Sequence, residues 1–197
     1  MPTKHQKAYW ETRYKENRTG WDIGYPSPQL KAIFDSLSDK KTKILIPGAG
    51  NAYEAEYLHI SGYKDTHVVD FAKQTLASLH KRVPSFPSAQ LHHENFFDHH
   101  GTYDVIIEQT FFCALDPVLR HAYVDKMHEL LKPSGKLTGL LFNIPLKTDG
   151  PPYGGHETIY RNLFEEKFHI LHMATSDLSI PPRAGNELCF SLTPKSV

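Results

Sequence analysis

Two rhythms of hydrophobic and polar positions alternate along this chain of 197 residues. Short apolar runs at 44–46, 67–69, 103–109 and 135–142 suit strands buried on both faces of a parallel sheet. A further short strand fits 90–93, and a closing β-pair fits 168–173 with 188–193. Between them the spacing turns helical. The segment HQKAYWETRYKENR (5–18) places Tyr9, Trp10, Arg13 and Tyr14 at helical intervals. A second helix starts at Ser27, with Pro28 at its first position and Leu30, Ile33, Phe34 and Leu37 as its apolar stripe. Others are predicted over 51–63, 72–82, 117–131 and 157–166, with turns at 84–87 and 132–135. Five strands alternating with helices, then a final pair, predict an α/β fold. It is a doubly wound, mostly parallel sheet of seven strands, closed by an antiparallel β-pair and preceded by N-terminal helices. No repeat or low-complexity tract divides the chain, so a single domain over 1–197 is expected.

The chain is organised around residues 43–70, a strand, a Gly-containing turn, a helix and a second strand ending in an acid. Pro47 stops the first strand because it has no amide hydrogen to donate. Gly48 and Gly50 permit backbone angles that other residues resist and allow close approach of a ligand. Asn51 is suited to cap the following helix. Asp70 is placed to accept hydrogen bonds from the hydroxyls of a ribose. A dinucleotide fold would want glycine at position 53, which is Tyr, and no P-loop follows. The pattern favours an adenosyl cofactor without a pyrophosphate and disfavours a nicotinamide oxidoreductase.

Other positions carry two readings each. In the loop after the third strand, Asn95 can read a base edge and Phe96 or Phe97 can stack on it; equally, the loop is a plain turn with its phenylalanines in the core. Glu108, at the carboxyl end of the fourth strand, suits an ammonium group or the orientation of a substrate. Trp21 lies in an aromatic loop, either as core or as a lid anchor. The segment 147–155, stiffened by Pro151, Pro152 and Tyr153, either roofs the site or is a surface loop.

Composition narrows the partners. Lys plus Arg and Asp plus Glu both count 22, so formal charge is zero. No basic stripe points to nucleic acid. No apolar run approaches the ~20 residues needed to span a bilayer, and the polar start shows no secretory signal. Two cysteines, far apart, offer neither zinc spacing nor a disulfide framework. The expectation is a cytoplasmic protein, a monomer or weak homodimer, acting on a small molecule. There are 13 histidines. His92, His93, His99 and His100 bracket Asp98, but neighbours on a strand point to opposite faces, so no metal site is expected. Cys113 follows a buried strand in an aromatic setting and reads as a structural thiol. No Ser-His-Asp or Cys-His arrangement is evident, and no clear general base.

The stretches WETRYKENRTGWDIGYPSP, ILIPGAGNAYEAEYL, YDVIIEQTFFCALDP, HELLKPSGKLTGLLF and DGPPY, taken together, resemble class I S-adenosylmethionine-dependent methyltransferases with their Rossmann-like core. More closely they resemble the thiopurine S-methyltransferase family and its halide/thiol methyltransferase branch. The resemblance implies S-adenosyl-L-methionine as cofactor and methyl transfer to a thiol, a thiopurine-like heterocycle or a halide. It implies a helical lid over 1–40 and a core over 41–197, with Trp10 and Trp21 covering the cofactor. Gly48, Ala49 and Gly50 would approach the methionine part, with Glu54 nearby. Asp70 would hold the ribose beside Phe71, and Asn95 and Phe96 would flank the adenine. Glu108 would lie near the amino-acid end, and Phe111, Phe112 and Tyr153 would line the acceptor pocket. The sequence departs from the family pattern at Asn95 and Glu108, where Asp is commoner, and at Ala49, where Cys or Gly is common. These changes leave the acceptor open, with an O-methyltransferase, another small-molecule methyltransferase or a non-catalytic cofactor-binding domain as alternatives. The run Asn143-Ile144-Pro145-Leu146 invites comparison with the motif of amino-group methyltransferases, but it follows the fifth strand rather than the fourth, which argues against N-methylation.

Overall fold

The apolar runs become one sheet. In a computed structural model that describes residues 7–147 and 149–196, the strands are β1 (Ile44–Pro47), β2 (Thr66–Val69), β3 (Leu91–His92), β4 (Tyr103–Gln109), β5 (Leu131–Phe142), β6 (Phe168–Thr175) and β7 (Glu187–Pro194). Their order across the sheet is β3-β2-β1-β4-β5-β7-β6. The first five strands run parallel, and β7 pairs antiparallel with both β5 and β6. The helices are α1 (Lys7–Lys15), α2 (Pro28–Ser36), α3 (Tyr53–Ile60), α4 (Lys73–Arg82), α5 (Arg120–Leu130) and α6 (Glu157–Phe164).

The period-two alternation of a strand divides the core between the two faces. Ile44, Ile46, Val105 and Ile107 pack with Leu30, Phe34, Leu58 and Leu79 from α2, α3 and α4. Leu45 and Ile106 point the other way, to Tyr123, Met127 and Phe164 from α5 and α6. Both faces of β1 are therefore covered, which is why its run is apolar throughout. Strand order reverses between β1 and β4, and a crevice opens there beyond the carboxyl ends of the strands.

Local expectations shift at the edges. Residues 5 and 6 of the predicted first helix lie outside the described residues, and α1 ends at Lys15. The third strand is only two residues long. The helix predicted over 117–131 opens as a separate one-turn 3-10 helix, Pro117–Leu119, because the Asp116 side chain accepts from the Val118 amide and tightens the turn. The turn predicted at 132–135 lies inside β5. Tyr103 pairs with Leu131 and Val105 with Lys136, so 132–135 bulge out of the ladder rather than interrupt it. Among the described residues, no helix is long and apolar enough to cross a membrane.

Candidate active site

Beyond the end of β1 the chain turns through Gly48 and Gly50, at φ 59° and 55°. Gly48 donates its amide to Val69 O at 2.8 Å, tying the turn to the end of β2. A methyl group added at Gly48 would lie 2.2 Å from Cδ2 of Phe111, so only glycine fits. At Gly50 the same group would stand 3.6 Å from Tyr14 Oη and 3.7 Å from Trp21 Nε1, in ordinary contact. The predicted cap on α3 is corrected: Ala52, at φ 57°, precedes the helix without a side-chain cap. The amide of Asn51 instead donates to Asp22 and ties the turn to the N-terminal loop. Ser27 stands before α2, as predicted, but its hydroxyl makes no cap bond. Its amide donates to Glu54 Oε1 at 3.0 Å.

These elements surround a cavity of about 680 Å³, within the range of ~300–1,000 Å³ usual for cofactor and small-molecule sites. Of the residues singled out from sequence, Trp10, Trp21, Gly48, Ala49, Gly50, Glu54, Asp70, Phe71, Asn95, Phe96 and Phe111 line it. Asp70 Oδ1 accepts from the Ala72 amide at 2.7 Å. Burial pushes its carboxyl up to about 6, while bonds from the Ala72 and Gly50 amides and the Thr75 hydroxyl pull the other way. Burial also raises the carboxyl of Glu54, against the Ser27 amide. Asn95 Oδ1 accepts from Phe97 N at 3.2 Å and caps the one-turn 3-10 helix Phe96–Asp98. Phe96 serves both readings, since it is buried, meets the Phe111 ring edge-on at 5.1 Å and also lines the cavity.

Trp21 is an anchor of the N-terminal segment. Trp10 and Tyr14 meet it edge-on, with ring centroids 5.5 and 5.6 Å away. The Arg13 guanidinium lies 5.4 Å from its ring. Its carbonyl accepts from Arg183 Nη2 at 2.7 Å, which joins this segment to the turn before β7.

Three expectations are corrected. Glu108 does not reach the cavity. It is fully buried, and its Oε1 accepts from the amides of Phe111 and Phe112 at 2.8 and 2.9 Å. Its Oε2 accepts from Tyr123 Oη at 2.6 Å. Strand parity is the reason: Glu108 shares the α5 face with Ile106, and it holds the loop after β4 in shape. Burial pushes its carboxyl up to about 7. Phe112 turns inward with the 3-10 helix Phe112–Ala114 and packs among Tyr123, Tyr160 and Phe164, away from the cavity. Tyr153 is buried, its amide donates to Cys113 O at 2.7 Å, and its neighbours Pro151 and Pro152 line the cavity instead. Cys113 donates its thiol to Thr110 O at 3.3 Å, and burial drives its pKa up, so it stays a neutral thiol.

Sequence reasoning missed Arg13, Gln109 and Arg183, all of which line the cavity, whereas Thr110 was placed at a pocket lip and does line it. Gln109 was legible: it ends β4, one residue past Glu108, and the alternation of a strand sends the two side chains opposite ways. Arg183 comes from the turn between the last two strands, with no signal in its neighbours. Its Nη1 lies 3.4 Å from Glu187 Oε1, and its guanidinium 5.6 Å from the Phe142 ring.

The cavity fits an adenosyl group carrying an amino-acid arm. Among the described residues, Gln109 Oε1 and Arg13 Nε are buried without a hydrogen-bond partner. They supply an acceptor for an ammonium group and a donor for a carboxylate. Asp70 offers a carboxylate to paired hydroxyls, and Phe71 and Phe96 offer aromatic surface to a base.

Comparisons with known proteins place the chain in a family and show its fold in solved structures. Residues 5–193 match the family described as Thiopurine S-methyltransferase (TPMT). The chain is 31% identical to probable thiol methyltransferase 2 of Arabidopsis thaliana, covering 95% of this chain and 85% of the relative. It is 29% identical to thiocyanate methyltransferase 1 of the same plant, covering 92% and 82%. Among solved structures it shares the fold of a Burkholderia thailandensis 1,6-didemethyltoxoflavin-N1-methyltransferase, crystallised with S-adenosylhomocysteine. The TM-score is 0.76 at 17% identity, covering 96% of this chain and 87% of that one.

Proposed function

The chain belongs to the thiopurine S-methyltransferase family, and from that premise we propose how its cavity carries out the family's reaction. The protein is an S-adenosylmethionine-dependent methyltransferase acting on a small soft nucleophile. One observation carries the site map: the Gly48–Gly50 turn and the Asp70 carboxylate meet in one cavity where strand order reverses.

When bound, S-adenosylmethionine supplies a methyl carbon made electrophilic by its sulfonium. The remaining tasks fall to the chain. Asp70 accepts hydrogen bonds from the ribose hydroxyls, and Asn95, Phe96 and Phe71 surround the adenine. Gln109 Oε1 accepts from the ammonium, Arg13 pairs with the carboxylate, and Trp10 and Trp21 close over both as part of a lid over 1–40 on a core of 41–197. On the other side of β1, Phe111, Leu115, Phe142, Pro151 and Pro152 form an apolar wall that excludes water from the acceptor. Arg183, cationic and set in that wall, draws in an anionic nucleophile. A thiolate, thiocyanate or halide arrives without a proton to lose, so positioning in line with the methyl carbon is enough and no general base is required. The setting that fits this reading is the cytoplasm, with the protein a monomer or weak homodimer.

The test is calorimetric titration with S-adenosylhomocysteine, followed by methyl-transfer assays with thiocyanate, hydrosulfide, iodide, a thiopurine, a catechol and a primary amine. Turnover of the sulfur and halide acceptors is expected. Turnover of the catechol alone, or tight binding with no turnover, overturns the acceptor reading. Asp70→Ala should weaken S-adenosylhomocysteine binding by about 1–3 kcal/mol, a loss of roughly 5- to 150-fold. The acceptor role needs the ionised carboxylate, so wild-type affinity should fall as pH drops through about 6. Asp70→Asn should flatten that limb, and unchanged affinity in Asp70→Ala would remove Asp70 from the ribose site. Arg183→Met should raise the KM for thiocyanate about tenfold and that for a neutral thiopurine far less. Equal shifts for both would show that the guanidinium acts only through its bond to Trp21.

A further inference from the structure

Beside the main cavity, at the sheet edge made by β2 and β3, three imidazoles come together from distant parts of the chain. Asp65 Oδ1 lies 2.8 Å from His67 Nε2 and accepts a hydrogen bond from it. Neutral His67 then has a bare Nδ1, which lies 2.9 Å from His92 Nε2 and accepts from it. That arrangement leaves Nδ1 of His92 unprotonated and, among the described residues, without a hydrogen-bond partner. His99 lies on the far side, its ring centroid 4.7 Å from that of His92. Its Nδ1 is 2.6 Å from Glu94 Oε1, and its Nε2 is 2.7 Å from Tyr103 Oη. One ligand atom each from His92, Glu94 and His99 lies within 4.8 Å of the others.

We infer that His92, Glu94 and His99 form a binding site for a divalent first-row transition ion of the zinc class. Two imidazole nitrogens and a carboxylate oxygen are a donor set such ions accept, with water in the fourth position. Ligand distances of ~2.0–2.2 Å put donor atoms roughly 3.3–3.5 Å apart in a tetrahedral site, so closure asks for side-chain shifts of about 1 Å. The surroundings resemble the outer shell of a metal centre. With Nδ1 of His92 as the ligand atom, its Nε2 donates to His67, which is itself held by Asp65. His99 in its ligating tautomer donates Nε2–H to Tyr103. Ligation through Nδ1 uses the His99 tautomer with its proton on Nε2, so the ion takes the place of the hydrogen bond between His99 Nδ1 and Glu94 Oε1. The Glu94 side chain is 40% exposed and leaves a way in, whereas His99 is 1% exposed and fixed. His93 and His100 are the exposed members of their pairs and are not in the cluster; His92 ends β3, and His93, His99 and His100 lie outside any strand. The pairs diverge as expected; the correction is that the inward member of each meets the other.

The test uses the full chain, free of any purification tag and stripped with a chelator. Zn²⁺ titration by calorimetry should show one ion per chain, and Co²⁺ should give the intense visible bands of a four-coordinate site. Glu94→Gln, half-exposed and able to keep its hydrogen bond to His99, should weaken Zn²⁺ at least tenfold while the ion-free melting temperature holds. His92→Asn is the second variant and should do the same. Failure of the wild type to bind below millimolar Zn²⁺ overturns the inference, leaving the cluster a hydrogen-bonded network only. Retained affinity in Glu94→Gln overturns it as well, by placing the ion on other histidines. None of these readings depends on the bound cofactor or on turnover.

Discussion

Glu108→Leu is expected to cost about 3–6 kcal/mol of folding stability, measured by urea denaturation. Leucine fills much of the same space but accepts nothing. It strands the amides of Phe111 and Phe112 and the hydroxyl of Tyr123, all buried, and each orphaned donor costs about 1–3 kcal/mol. Set against total stabilities of roughly 5–15 kcal/mol, such a loss would leave the variant marginal. Glu108→Gln should recover most of it, because its carbonyl keeps both amides and its NH₂ can donate to Tyr123. The two variants also separate fold from charge. The wild-type carboxyl is raised from 4.5 to about 7, so between those values the folded state holds more protons than the unfolded one. Stability from this group is therefore highest at low pH and is lost as pH rises through that window. The stability difference between wild type and Glu108→Gln should shift in favour of wild type as pH falls from about 7 to 4.5. Parallel pH profiles would show that Glu108 is ionised throughout and carries no such slope.

Gly48→Ala should both destabilise the protein and close the site. The left-handed conformation costs about 1–2 kcal/mol for a residue with a Cβ. The added methyl would stand 2.2 Å from Phe111, and overpacking costs typically 1–3 kcal/mol more. The ring cannot easily retreat, because the Glu108 carboxylate holds its backbone and Phe96 packs against it. A total of about 2–5 kcal/mol is expected, with S-adenosylhomocysteine affinity reduced more than tenfold as Phe111 is driven into the cavity. Gly50→Ala is the control. It has the same backbone strain but only ordinary contacts around the added methyl, so about 1–2 kcal/mol is expected. Equal effects in the two variants would mean that conformation alone, not the close approach of Phe111, makes Gly48 necessary.

These two residues mark where sequence reading succeeds and where it stops. The Gly48–Gly50 turn was legible because the backbone angles it needs are a local property of glycine after a buried strand. Asp70 was legible because a strand's end is a place in the chain, and the sheet puts the ends of parallel neighbours together. Glu108 was misplaced by one residue of strand parity. It sits at the right end of the right strand, but its face belongs to α5, and Gln109 holds the position toward the cavity. Phe112 and Tyr153 were misplaced by turns whose direction no local pattern specifies.

The chain's own pattern settled which segments are strands and helices, their alternation, and the end of the sheet where the cavity opens. Those follow from side-chain periodicity and from the few residues that end a ladder or allow a turn, all short-range effects. Tertiary structure alone decided which carboxylate faces the cavity and which serves as an internal brace. It also decided that Arg183 arrives beside Trp21 from 162 positions away, and that His92 and His99 meet while their neighbours turn to solvent. Those outcomes depend on how two faces of a sheet are shared among helices and on loops whose ends are set by packing, and a one-dimensional pattern encodes neither.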